Sequence, residues 1–356
     1  MLTCLQRELS WYKVNSMVIG RSLFSIDLLR NRRLSVTKSL QKSKSTGFTR
    51  NFARAFIHCA AFLLLFIIFS IQNVYAFAET RTQDVIKVTR QNIENRHNLE
   101  ISAEDLKAQN IKNISSGKGT WVNLWNYPQD TQKFISRLKK FGIDTVYLQV
   151  NRSNTPVLKL QTEVDKILKD AHANNIKVIG WSYCYLKDIT SDARKFVNVA
   201  NYVSPDGESF DGMAADIEEN TSLWAVRAYT KNIKRDLPKD YPLIAIVYSP
   251  QIKQDYPWEY VANNWDVLMP MTYWHGLKNR NHETVYNFVR DSITDLRRLS
   301  KKDNLNIHLI TDGDRTNNDE VAASLKAAKD NGVNAGISIY PEHLASDEML
   351  KKLGVY

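Results

Sequence analysis

The sequence predicts an α/β protein whose main body is a closed (β/α)8 barrel, and three observations predict it. From residue 119 onward, short apolar runs alternate eight times with amphipathic stretches. The runs are nearly continuous in Val, Ile, Leu, Tyr and Trp, as strands buried on both faces require. The eight units occupy residues 119–356, close to the ~250 residues typical of a TIM barrel.

Four segments follow in order. Residues 1–55 form a basic leader, with eleven Lys/Arg against Glu8 and Asp27. Residues 56–78 form a signal peptide or membrane anchor. They hold the uncharged run AAFLLLFIIFSI at 60–71, preceded by Arg50 and Arg54 and followed by the small-x-small pair Ala76 and Ala78. A positive flank, an apolar core and a small-residue site make an export signal, and the positive flank stays inside. The barrel is therefore expected outside the cytoplasm: secreted, periplasmic or on the outer face of a membrane. Residues 79–118 are polar without a clear apolar period, and read as a linker with a short helix near 102–109. Residues 119–356 are the barrel.

The strands are expected at 120–125, 145–151, 177–183, 212–218, 243–249, 267–273, 306–311 and 335–340. Between them, Phe134/Leu138/Phe141, Val164/Leu168/Ala171, Val289/Ile293/Leu296 and Val321/Leu325/Ala328 each fall at i, i+4, i+7. Each set gives a helix one apolar stripe. FGIDTVYLQ, NNIKVIGWS and NGVNAGISI share a further device, in which Gly or Asn ends a helix in the left-handed conformation and an apolar residue enters the strand.

Charge and cysteines exclude several functions. The net charge of +10 belongs almost wholly to the leader, leaving 37 basic against 36 acidic residues in the remainder. A nucleic-acid surface needs a basic domain, so no nucleic-acid partner is expected. Cys4, Cys59 and Cys184 are the only cysteines. No Cys/His cluster has metal-ligand spacing, and no Gly-rich phosphate loop follows the first strand. No metal and no cofactor are expected.

Barrel chemistry sits at the C-terminal ends of the strands. Those ends carry Asn123 and Trp125, Gln149 and Asn151, Tyr183, Asp216 and Glu218, Tyr248, Tyr273 and Trp274, Asp312 and Tyr340. Carboxylates, amides and aromatics in one mouth suit a sugar, because flat rings stack on pyranose faces and the polar groups bond hydroxyls. The fourth strand reads DGMAADIEEN. Period-2 alternation places Ala214, Asp216 and Glu218 on one face and Met213, Ala215 and Ile217 on the other. Two inward carboxylates repel, so the pair shares a proton and one pKa rises. That suits a general acid.

DGMAADIE resembles the DGxDxDxE signature of family 18 glycoside hydrolases, the chitinase type, and keeps Asp211, Gly212, Asp216 and Glu218. MPMTYWHG resembles the MxYD segment of that family and keeps Met271 and Tyr273. The resemblance implies that Glu218 protonates the glycosidic oxygen, Asp216 orients a substrate acetamido group and Tyr273 hydrogen-bonds it. The substrate implied is a β-linked, N-acetylated oligo- or polysaccharide. Asp211, Trp125, Gln149, Asn151, Tyr183, Tyr248, Trp274, Asp312 and Tyr340 are expected as substrate-binding residues. Ala214 and Trp274 depart from the signature where acids stand. Two alternatives stay open. One is a retaining glycosidase using Glu218 and Asp312 as its two carboxylates, although TDGDR at 311–315 also reads as a capping turn. The other is a catalytically weak barrel that binds glycan or a protein partner.

Overall fold

A computed structural model describes residues 47–356. Most of the expected leader, residues 1–46, lies outside the described residues. The chain divides into two compact units after Glu94.

The described part of the first unit, residues 47–94, is helical. Helix α1 runs from Gly47 to Ser115 and ends within the second unit. It has neither Gly nor Pro between Phe48 and Ser115, so nothing in the backbone interrupts it. Ala60–Gln91 is long and apolar enough to cross a membrane by length and composition. Its large side chains, Phe62 to Phe69 among them, are exposed.

Of residues 79–118, expected as a linker, 79–115 are the C-terminal part of α1 and Gly117 and Lys118 open the first strand. The helix end is held by charge and packing together. Lys177 Nζ donates to the Asn113 and Ser116 carbonyls, a cation at the negative end of the helix. Ile114 enters the barrel interior beside Ile179 and Ala214.

Eight parallel strands then close into a barrel in sequence order: β1 (Gly117–Val122), β2 (Thr145–Arg152), β3 (Lys177–Cys184), β4 (Gly212–Ile217), β5 (Leu243–Tyr248), β6 (Val267–Thr272), β7 (His308–Asp312) and β8 (Gly336–Tyr340). The β1–β8 pairing that shuts the ring starts at Gly117↔Gly336. Between the strands run α2 (Thr131–Lys140), α3 (Gln161–His172), α4 (Ile189–Ala200), α5 (Leu223–Asp236), α6 (Trp258–Asn264), α7 (His282–Ser300) and α8 (Asn318–Asp330). A 3-10 turn at Glu342–Leu344 and α9 (Asp347–Gly354) follow β8. The three predicted helix-ending positions are left-handed, with φ of 70° at Gly142, 57° at Asn175 and 63° at Gly332.

Alternation divides the core in two. Met213, Ala215 and Ile217 of β4 pack outward among the helices, while Ala214 faces the interior. The interior is unusually aromatic. Trp121 stacks on Tyr147 at 4.2 Å and meets Trp181 edge-on at 5.7 Å. Trp121 Nε1 donates to Ser338 Oγ at 2.8 Å, so the ring's one polar atom is satisfied.

At the base, His308 is fully buried. Its Nδ1 donates to the Ser115 carbonyl at 2.8 Å, and burial holds its pKa down to about 3, so it stays neutral. Such bulk needs small neighbours. A Cβ on Gly336 would lie 2.4 Å from the Ser115 carbonyl oxygen, 2.5 Å from His308 Nδ1 and 2.7 Å from the Gly117 oxygen. Two of those atoms are backbone and cannot swing away. Gly336→Ala is therefore expected to cost about 1–3 kcal/mol, read as a lowered Tm. An unchanged Tm would mean that the base of the barrel is looser than this packing implies.

Candidate active site

The C-terminal ends of the strands enclose a cavity of about 160 Å³. Strand β4 supplies its chemistry. Asp216 is 4 % exposed, and its Oδ1 is buried without a hydrogen-bond partner. Burial pushes its carboxyl well above the usual range, Glu218 adds to the rise, and Arg152 opposes it. Burial also raises Glu218, which hydrogen bonds from Asp216 and Tyr248 hold back. The two carboxyls face one cavity, where burial disfavours two charges side by side. The pair retains one proton at a pH where isolated carboxyls would have lost theirs.

A stability prediction follows for Asp216. Because its pKa is raised in the folded state, burial of the neutral acid is tolerated at low pH. Stability is lost as pH rises through the folded pKa. Asp216→Asn is expected to raise Tm relative to the unmodified chain more at pH 9 than at pH 5. Equal differences in thermal melts at the two pH values would contradict the raised pKa.

Aromatic rings wall the cavity. Trp121 and Trp181 form its floor with Met271 and Ile246. Tyr273 and Tyr340 stack at 5.7 Å with an angle of 24°, and both line it. Burial raises Tyr273 well above the ordinary phenol value, so it is a hydroxyl donor at any working pH. Trp125 stands at the rim, 65 % exposed. Asn123 lines the wall beside it and accepts from the Trp125 N–H at 3.1 Å. Gln149 lines the wall and is fixed by accepting from the Leu124 N–H at 3.1 Å. Tyr183 donates to Glu219 at 2.9 Å. Tyr248 lies outside the lining but donates to the Glu218 carbonyl at 3.5 Å. Burial and the Glu218 charge raise its phenol to about 12.

Besides Tyr248, four residues expected to bind substrate are placed outside the lining. Trp274 is 0 % exposed and packs outward among the helices. Its Nε1 donates to Thr316 Oγ1 at 3.1 Å and Glu320 Oε2 at 3.2 Å. Tyr273 points inward, so its chain neighbour points outward. Asp211 precedes β4 at the opposite end of the barrel. Its carboxylate accepts from the Val178 N–H at 2.7 Å and contacts His172 at 3.1 Å. Asp312 is 1 % exposed. One oxygen accepts from the Asp314 N–H and the other from His275, through both its backbone N–H and Nδ1. It closes the capping turn, with each oxygen already accepting a hydrogen bond. Asn151 is 1 % exposed and donates to the Val157 carbonyl at 2.7 Å.

The fate of Asn151 has a local cause. Strand β2 carries a bulge between Gln149 and Asn151 in its pairing with β3. One extra residue reverses the inward parity. Arg152, opposite Tyr183, takes the cavity position that alternation had given to Asn151. Arg152 and Trp181 are thus lining residues that the sequence reading missed. For Trp181 the signal was present, since it sits two positions before Tyr183 on one strand face.

Cys184 is buried, 3.2 Å from the Tyr229 hydroxyl, and burial raises its thiol, which makes it inert. Among the described residues no group of three or more His, Cys, Asp or Glu could hold a metal.

No protein-family model and no curated protein matches the sequence. Solved structures do match the fold. The spore cortex-lytic enzyme SleL of Bacillus cereus superposes with a TM-score of 0.53 at 13 % identity, over 67 % of this chain and 73 % of that one. A GH18 chitinase from Pseudoalteromonas aurantia gives 0.50 at 13 % identity, over 67 % and 99 %. At such identity the likeness establishes architecture. The chain shares the (β/α)8 barrel fold of these glycoside hydrolases.

Proposed function

We propose that this protein is an exported glycoside hydrolase that cleaves a β-linked, N-acetylated polysaccharide. The observation that carries the reading is the Asp216–Glu218 pair, one buried and one half-buried carboxyl, both with raised pKa values, at the mouth of an aromatic-walled barrel. The fold shared with a chitinase and a cortex-lytic enzyme supports it.

The geometry suggests how the pair works. Asp216 Oδ1 lacks a partner and is an acceptor for an acetamido N–H. Accepting that bond stabilises Asp216 as the anion and moves the shared proton to Glu218. Glu218 then protonates the glycosidic oxygen as that bond breaks. The acetamido carbonyl attacks the anomeric carbon, with the Tyr273 hydroxyl orienting it, and the product is an oxazolinium-type intermediate. Water returns a proton to Glu218 when the intermediate opens. Export rests on the apolar stretch within Ala60–Gln91, which is in keeping with either a signal peptide or an anchor at residues 56–78.

The test is hydrolysis of matched reporter oligosaccharides with and without the N-acetyl group. Turnover is expected for the N-acetylated set alone. Equal turnover of plain hexosides would remove the substrate-assisted route. Binding without turnover of either set would favour the glycan-binding barrel, a reading motivated by Ala214, which is fully buried where the resemblance expects an acid.

A further inference from the structure

The cavity holds a cation whose charge acts on the acid pair but to which the proposed cleavage assigns no bond. Arg152 lines it, with Cζ 4.4 Å from the centre of the Tyr183 ring and 5.8 Å from that of Tyr185. Its Nε is buried and unpartnered. Among the described residues its guanidinium makes no ion pair and donates no hydrogen bond. The backbone beneath it is fixed. The Arg152 N–H donates to Thr155 Oγ1 at 2.8 Å, and Lys195 Nζ ties the Arg152 and Thr155 carbonyls. An arginine held by ring stacking, with its planar fork unspent, is preorganised for a bidentate oxyanion.

A second cation repeats the arrangement on the neighbouring part of the rim. Lys159 Nζ sits 4.0 Å from the centre of the Trp125 ring. Both aromatic faces at this side of the rim are thus occupied by cations. A neutral pyranose would have to displace them to stack. A sugar bearing a carboxylate would engage them where they stand. Glu219, an exposed acid on this wall, is engaged by the Tyr183 hydroxyl and makes no ion pair with Arg152.

We propose that Arg152, assisted by Lys159, selects a glycan that carries a carboxylate on the sugar seated beside Glu218. This rests on the glycan-cleaving reading of the same cavity.

The test uses the full-length chain and three oligosaccharides on one β-1,4-linked N-acetylglucosamine backbone. The first is unsubstituted. The second carries a 3-O-lactyl carboxylate on alternate residues, and the third carries the same lactyl group as its amide. Binding is titrated calorimetrically, and hydrolysis is followed in parallel. The carboxylate form is expected to bind about tenfold or more tighter than the amide, as a charge-assisted bond would give. Added salt is expected to narrow that ratio. In Arg152→Gln the two forms should bind alike, and Arg152→Lys, which keeps the charge without the fork, should fall between. Lys159→Gln should lower the ratio in part. Equal binding of carboxylate and amide by the unmodified chain, or a ratio unaffected by Arg152→Gln, would overturn the inference. Turnover without carboxylate preference would leave the glycosidase reading standing. Carboxylate preference without turnover would do the reverse, and failure to bind any of the three would overturn both.

Discussion

Glu218→Gln is expected to lower kcat by about 10²–10⁴-fold, the usual worth of a positioned general acid, while leaving oligosaccharide binding nearly intact. The amide keeps the size and hydrogen-bonding reach of the acid but has no proton to give. The loss should appear in kcat more than in KM, because protonation of the leaving oxygen occurs only in the transition state. The pH profile adds a second signature. Both carboxyls of the pair are raised, so activity of the unmodified chain should persist above the ordinary carboxylate range. It should fall on the alkaline side as the last shared proton is lost. A variant with unchanged kcat would exclude Glu218 as the acid, whatever the status of the fold.

Trp274→Ala is expected to destabilise the barrel by about 3–5 kcal/mol, the range for truncating a fully buried large side chain. The ring is 0 % exposed, and its removal also deprives Thr316 and Glu320 of a donor. Glu320 is itself 3 % exposed, so its carboxylate would lose one of the bonds that make burial tolerable. The measurement is chemical denaturation beside substrate kinetics. A large fall in stability with KM unchanged is expected. A raised KM at unchanged stability would return Trp274 to the role of sugar platform that its place in the sequence suggested.

Trp274 also illustrates what could be read from sequence. Its inward neighbour Tyr273 already implied, by alternation, that the tryptophan points away. Aromatic character and strand parity point opposite ways there, and parity decides. In β4 parity was followed, and the faces of Met213 through Ile217 came out as expected. All eight strands were legible because each must be apolar on both faces. The helix ends at Gly142, Asn175 and Gly332 were legible because left-handed backbone selects Gly and Asn.

Two features were hidden for different reasons. The bulge in β2 has no Gly or Pro to mark it, since LQVNR is ordinary strand sequence. Only the pairing with β3 reveals that Arg152 replaces Asn151 in the cavity. The end of α1 lacks an apolar period because few of its side chains meet the barrel. Ile111 and Ile114 do so, and Lys107 pairs with Asp266 at 3.1 Å. The absence of Gly and Pro was the available signal. A fragment beginning at Gly119 would lose Ile114, the Ser115 carbonyl that holds His308, and the first two residues of β1.

The central claim is that the mouth around Asp216 and Glu218 holds a glycan ready for cleavage. A crystal structure of the Glu218→Gln chain with an N-acetylated oligosaccharide tests it most directly. The account predicts a sugar seated over Trp121 and Trp181, with the acetamido N–H on Asp216 and the glycosidic oxygen ~3 Å from the residue-218 side chain, within hydrogen-bond reach. An empty mouth at saturating oligosaccharide, or sugar bound only on another face of the barrel, would contradict it.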